Sequence, residues 1–558
     1  MSRWASLKNH NLSISEEKSK AVWFTKGRRL LNPPHLLYNN KRIPYTDKTK
    51  YLGIILHKNL KWTPHITEQV NKAQKGLNII KNLTRVWWGA DPKTLLVIYN
   101  GIVKSHLDYG SIFIKPTNKT GLEKIDKTQF QSLRTILGCM KSTPTWALLA
   151  EAKEQSMDHR RKNLSVKFLL KIYSHNDHPL TTLLKNIRKS LAKNANFWRN
   201  KETPYLVTAL GYLDKYSNKI YKNDRAPCYE MQLQHQIKMI KVIDLNLEKS
   251  QVSNKNLFYE ITENIRSNHT FIYTDASKGK NNAGYGVYCN NPPINYAERL
   301  PEEVTICTAE IVAINKAIII SLCKELRNVV ILSDSKSAID KIRYPGVNTS
   351  NDSITLSTKK LLLEANNSGT KIHLTWIPSH TDISGNEAAD KLANIGRSLN
   401  VPKNIKIDKA DILAVIKHKL TEEFSQKWKT TATNKGGWYS EIVKKFPKTR
   451  WFDNLKYARR KDITNIIRLK TGHCRTKVHL NRIGIIDSPL CECGKIENIN
   501  HIFLACPLRT YPQTDLYTKL IKDATLHHSV CRQWLSQRAK LKTINLINAF
   551  IDKNKLEL

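Results

Sequence analysis

The sequence predicts an α/β domain in the middle of the chain, between mostly helical flanking regions. Three observations carry that reading. The runs Phe271 to Asp275 and Val329 to Leu332, and the alternating Lys371 to Trp376, have the β-branched and aromatic make-up of strands. Thr308 to Leu322 and Asn386 to Arg397 place apolar residues at helical spacing. The stretch also differs in charge. Asn268 to Asn400 holds 14 Lys and Arg against 13 Asp and Glu, and the remaining residues hold 77 against 34, in a chain of net charge +44.

Taken in order, the central elements each offer one acid. Asp275 closes the apolar run Phe271-Ile272-Tyr273-Thr274. Glu310 lies on the helix whose stripe is Ile311, Ile314, Ala317 and Ile318. Asp334 follows the buried-strand pattern Val329-Val330-Ile331-Leu332. Asp390 lies on the last helix, beside Ala388, Ala389, Leu392 and Ala393. His380 is in the loop Pro378 to Gly385, ten residues before Asp390. Carboxylates dispersed in this way suit hard divalent cations, which take oxygen ligands. Two such ions about 3.5–4 Å apart can activate water and stabilise a leaving oxygen in phosphodiester cleavage. Blander readings exist for each acid alone. Asp334 could cap a helix starting near Ser335, and Asp275 could sit in a turn before Gly279.

The residues Thr274-Asp275-Ala276-Ser277, Thr308-Ala309-Glu310, Ser333-Asp334-Ser335 and Trp376-Ile377-Pro378-Ser379-His380, continued by Gly385-Asn386-Glu387-Ala388-Ala389-Asp390, resemble the type 1 ribonuclease H family. The resemblance implies a mixed five-stranded sheet with flanking helices over residues 266–400. It implies that Asp275, Glu310, Asp334 and Asp390 bind two Mg²⁺ ions, with Mn²⁺ as a substitute, and that His380 lies in a mobile loop that moves protons or releases product. The implied activity is endonucleolytic hydrolysis of the RNA strand of RNA–DNA hybrids, recognised by A-form shape and 2′-OH groups. Ser277, or backbone near Gly284, would contact the sugar-phosphate. The alternative is a catalytically silent, nucleic-acid-binding remnant.

Residues 1–120 alternate strand-like and helix-like patterns. Ala21 to Phe24 and Tyr51 to Leu56 read as strands. Trp62, His65, Ile66, Val70 and Ala73 begin a long amphipathic helix, and a second runs from Pro92 towards Tyr109-Gly110. Glu17-Lys18-Ser19, Tyr51-Leu52-Gly53-Ile54, Trp62-Thr63-Pro64-His65-Ile66 and Leu107-Asp108-Tyr109-Gly110-Ser111 resemble the last palm strands and thumb of non-LTR (LINE-type, jockey-like) retrotransposon reverse transcriptases. No Asp-Asp pair occurs in the chain. Polymerisation needs paired carboxylates for its metals, so no reverse transcription is expected. The resemblance implies the C-terminal part of a longer polyprotein.

Residues 121–265 read as a helical, basic connector with stripes Ile125, Phe130, Leu133, Ile136, Leu137 and Leu164, Phe168, Leu169, Ile172, broken at Ser142 to Thr145. Its lysines and arginines fit a solvated face or a nucleic-acid track equally well. Residues 215–258, rich in Lys, Asn and Gln, read as a tether. Residues 401–558 read as helical and basic, with Trp428, Trp438 and Trp451 favoured as core over base-stacking platforms. Cys491 and Cys493, then seven residues, His501, four residues and Cys506 can complete a tetrahedral Zn²⁺ shell. With Arg468-Leu469-Lys470-Thr471-Gly472-His473 before it, this pattern resembles the C-terminal Cys/His motif of the same retroelements. Small buried cysteines and an ordinary histidine are the competing explanation.

Charge points to polynucleotide partners, since Lys and Arg release counterions from phosphates, and the resemblances imply that these are RNA–DNA hybrids and retroelement RNA or DNA. Of ten cysteines seven are scattered and Cys491, Cys493 and Cys506 cluster, a pattern that is not a disulfide framework. With no signal-peptide core and no run of 18 apolar residues, the expectation is an intracellular, nuclear or cytoplasmic protein without a membrane partner. The sequence leaves oligomeric state open.

Overall fold

The computed structural model describes residues 15, 17–25, 33–38, 40–115, 119–175, 178–193, 203–222, 255–344, 352–379, 381–402, 405–435, 437–455, 458–511, 518, 534–535 and 541–558. The chain divides into two compact units. One comprises residues 1–164, 194–205 and 420–558, and the other 165–193 and 206–419.

The second unit holds the predicted α/β domain. Its five strands are β1 (Thr270–Lys278), β2 (Ala283–Cys289), β3 (Ile294–Leu300), β4 (Asn328–Ser333) and β5 (Lys371–Trp376). They lie in the order β3-β2-β1-β4-β5, with β3-β2-β1 antiparallel and β1-β4-β5 parallel. This is the mixed five-stranded sheet expected. The flanking helices are α1 (Ile306–Cys323), α2 (Lys336–Arg343), α3 (Ser353–Asn367) and α4 (Ser384–Gly396). Val329 to Leu332 are all buried, so β4 is covered on both faces, as an unbroken apolar run in a parallel pair requires. Each such side chain contributes about 1.5–3 kcal/mol relative to exposure.

Strands β2 and β3 have a sequence signal that the apolar-run reading does not pick up. Ala283-Gly284-Tyr285-Gly286-Val287 alternates glycine with larger residues, and Asn290-Asn291-Pro292-Pro293 marks the turn between the two strands. The glycines are required by packing. A Cβ on Gly286 would meet the Ala389 carbonyl of α4 at 2.5 Å, so only a bare backbone lets α4 lie against β2. Among the described residues, α1 alone is long and apolar enough to cross a membrane. Here it packs on β1 and β2, with Ala309, Ile311, Ile314, Ala317 and Ile318 buried.

The first unit is mainly helical. The helix Thr63–Leu83 and the broken helix Pro92–Asp108 join Lys119–Leu137 and Arg460–Thr471 around a core that includes Leu77, Leu96, Leu133, Ile136 and Ile467. Two strand expectations need correction. Ala21 makes only an isolated bridge to Tyr45. Tyr51 to Leu56 is not one strand but a hairpin, Lys48–Tyr51 against Ile54–His57. Leu52 and Gly53, with φ of 46° and 81°, turn the chain back there. The start of the expected tether is also packed. Tyr216 and Ile220 are buried and Ile220 bridges Ile407, while 223–254 lie outside the described residues. Trp428, Trp438 and Trp451 all direct Nε1 inward, to the Trp146 carbonyl, the Leu469 carbonyl and Glu151. That is the geometry of core residues.

Candidate active site and Cys/His centre

Register brings the acids together. Thr274 of β1 pairs with Ser333 of β4 in parallel, which puts the next residues, Asp275 and Asp334, side by side. Asp275 sits within β1 opposite Gly286, which excludes the turn reading. Ser335, rather than Asp334, is the N-cap of α2. Glu310 enters from the second turn of α1. Ligand oxygens of Asp275, Glu310 and Asp334 all lie within 4.8 Å of one another. Asp390, on α4, acts on Asp275 by charge and hydrogen bonding and accepts a hydrogen bond from Asn394 Nδ2 at 3.2 Å. It stands beside the tight trio rather than within it. His380 lies outside the described residues.

The electrostatics follow from crowding. Burial, then the charges of Asp334 and Asp390, push the Asp275 carboxyl up to about 8. Burial beside Asp275 and Asp334 holds Glu310 well above the usual carboxylate range. Glu310 is 4% exposed, and among the described residues its Oε2 has no hydrogen-bond partner. Buried acids so close cannot all ionise without a cation among them. The donor set is all oxygen, which suits Mg²⁺ or Mn²⁺ rather than a soft metal.

The rim contains two residues that the motif reading overlooks. Arg397 donates from NH1 to Ser277 Oγ at 3.2 Å and from Nε to Asn282 Oδ1 at 3.2 Å, and Ser277 Oγ donates to Asn394 Oδ1 at 2.7 Å. The available signal was periodicity. Asn394 and Arg397 stand four and seven residues beyond Asp390, on one face of α4.

In the first unit, one ligand atom from each of Cys491, Cys493, His501 and Cys506 falls within the same 4.8 Å limit. Cys491 and Cys506 sulfurs are 3.8 Å apart, and Cys493 Sγ is 3.2 Å from His501 Nε2. Gly494, at φ 80°, makes the turn that returns the chain towards His501. Three sulfurs and one imidazole nitrogen form a set compatible with zinc.

Comparison with known proteins bears on the α/β domain. The RNase H family model matches residues 267–398. The chain is 31% identical over 163 residues to ribonuclease H1 of Mus musculus, covering 27% of this chain and 55% of that protein. It is 26% identical over 200 residues to the RNA-directed DNA polymerase from mobile element jockey of Drosophila melanogaster, 35% of this chain and 20% of the relative. It is 24% identical over 156 residues to a 115 kDa protein of the type-1 retrotransposable element R1DM of the same organism, 27% of this chain and 15% of the relative. The chain thus spans about half or less of each of these proteins. Residues 267–398 are an RNase H domain, carried in a chain similar to non-LTR retrotransposon polyproteins.

Proposed function

We propose that this chain cleaves the RNA strand of RNA–DNA hybrids within a retrotransposon-derived protein. The observation that supports this best is the convergence of Asp275, Glu310 and Asp334, with a buried Glu310 oxygen that has no partner among the described residues. In this reading Asp275, Glu310, Asp334 and Asp390 hold two Mg²⁺ or Mn²⁺ ions. Bound there, the ions would supply an activated water and charge stabilisation for the departing 3′ oxygen. The protein's own part is to keep the carboxylates close, to hold Asp390 through Asn394, and to present Ser277 and Arg397 to the sugar-phosphate. His380 assists proton transfer or product release.

A labelled hybrid incubated with the whole chain, with and without Mg²⁺, tests the proposal. Mg²⁺-dependent cutting is expected. Asp275→Asn and Asp334→Asn should each lower it by about a hundredfold or more. Binding without cutting would favour a silent nucleic-acid-binding remnant, and cutting that survives both substitutions would show that these acids do not carry it.

The same reading assigns Cys491, Cys493, His501 and Cys506 to one structural Zn²⁺, four protein ligands leaving no open position for chemistry. It takes residues 1–120 as the end of a polymerase and 121–265 as a connector. Nucleic acid in the nucleus or cytoplasm is the partner it implies.

A further inference from the structure

The segment just beyond the matched RNase H residues reaches back to the helix that carries Glu310. Asp411, on the first turn of the helix Lys409–Lys435, is 2% exposed. Its Oδ1 accepts three hydrogen bonds, from the Thr305 amide at 3.1 Å, the Thr305 hydroxyl at 2.8 Å and the Thr308 hydroxyl at 2.9 Å. Thr305 is the N-cap of α1, and Thr308 precedes Glu310 by two residues. Three residues before Asp411, Asp408 accepts the Ser353 amide at 2.7 Å and also takes the Ser353 hydroxyl, at the start of α3. Asn315 Nδ2 of α1 donates to Thr358 Oγ1 of α3 at 3.0 Å, so the two capped helices are also tied to each other. The segment is itself anchored, because the Ile407 amide donates to the Lys219 carbonyl at 2.7 Å and the Tyr221 amide to the Ile407 carbonyl at 2.9 Å.

The arrangement answers a mechanical need. Glu310 is repelled by Asp275 and Asp334, against a backbone hydrogen bond at Ala276 and the packing of α1 on β1 and β2, and a hold on the first turn of α1 adds to what resists that repulsion. A helix moves as a rigid rod, so fixing its first turn fixes the side chain one turn on. One buried acceptor oxygen that takes three donors at a helix N-terminus holds that turn more firmly than the N-cap hydroxyl alone.

We propose that Asp411 is a positioning residue for the RNase H site. It acts through Thr305 and Thr308 to set the place of Glu310, and with it the affinity of the acidic trio for a divalent cation. The functional catalytic unit therefore extends past residue 398 to include the turn around Asp408 and Asp411. This inference rests on the proposed nuclease reading.

The test uses the whole chain, as wild type, Asp411→Ala and Asp411→Asn. Two quantities are read: the Mg²⁺ concentration that gives half-maximal hybrid cleavage, and Mn²⁺ binding by calorimetry without substrate. Asp411→Ala should raise the Mg²⁺ requirement and weaken Mn²⁺ binding by about tenfold, with KM for the hybrid within about twofold of wild type. Asp411→Asn keeps an acceptor oxygen and should recover to within about threefold of wild type. An Asp411→Ala chain with unchanged Mn²⁺ binding overturns the proposal, as does one that loses hybrid affinity at an unchanged metal requirement. If Asp411→Ala does not fold, Asp411→Asn decides. It keeps the acceptor but loses the charge, and Mn²⁺ binding weakened more than tenfold in a folded Asp411→Asn chain would overturn the account. Absence of cutting by the wild type sinks the nuclease reading instead, and the Mn²⁺ comparison still reads Asp411.

Discussion

Glu310 shows how a single side chain records a site. Its carboxylate is buried against two others, and burial followed by those charges raises its proton affinity. A folded-state pKa above the ordinary 4.5 means that, without metal, the group stabilises the fold fully below 4.5 and that stability is lost as pH rises through the folded value. Glu310→Gln removes the titration and the repulsion. In chelator at neutral pH the variant should be more stable than wild type by about 1–2 kcal/mol, with a flatter pH profile. Added Mg²⁺ should stabilise the wild type and leave the variant nearly unchanged, because a ligand stabilises only the state that binds it. Thermal unfolding at several pH values reads both effects. A wild type already more stable than the variant in chelator would contradict this account of the site.

At the scale of elements, two different constraints shape the sites. In the α/β domain, strand register does the work. One parallel pairing aligns Asp275 with Asp334, and the bare backbone of Gly286 admits the helix that carries Asp390. In the Cys/His centre a loop does it, and that loop is tied to the preceding helix. Glu497, between Cys493 and His501, accepts the Lys477 amide at 3.0 Å, and its carbonyl accepts the Val478 amide at 3.2 Å, at the start of the helix Lys477–Arg482. Metal loading should therefore steady that helix as well as the loop. Purified chain should contain about one zinc, and its removal should lower the unfolding temperature by several degrees. Cys506→Ser should behave like the stripped protein. Metal analysis together with a thermal melt checks this, and a zinc-free chain with an unchanged melt would count against it.

At the scale of the whole molecule, residues far apart in sequence close the first unit. Lys470 Nζ donates to Glu151 Oε1 at 2.5 Å, both side chains 1% exposed, and Tyr439 and Trp451 supply further donors at 2.7 Å. Arg460 donates to the carbonyls of Arg85, Ala90, Thr135 and Ile136. The Arg468-to-His473 run thus acts as a clasp, with Arg468 on the Gly138 carbonyl and His473 Nδ1 against Ser142 Oγ. Lys470→Met leaves Glu151 buried without its cation and should cost about 3–5 kcal/mol in denaturant unfolding. Adding Glu151→Gln to that variant should restore part of the loss, and a double variant no better than the single would show that the charge pair is not the cause.

The sequence by itself determined the α/β domain, and it singled out the acids Asp275, Glu310, Asp334 and Asp390 and the Cys/His set as candidates. Each is encoded locally, in a run of a few residues whose side-chain chemistry and spacing speak for themselves. Only the tertiary structure decided what lies between those runs. The seating of α4 against Gly286, the pairing of Asn394 and Arg397 with Ser277, the seating of Asp411 on α1 and the Glu151–Lys470 pair are not visible in any one segment. They depend on which backbones approach closely and which buried charges meet. Those partners are brought together by the packing of the whole chain, and proximity along the sequence does not encode it.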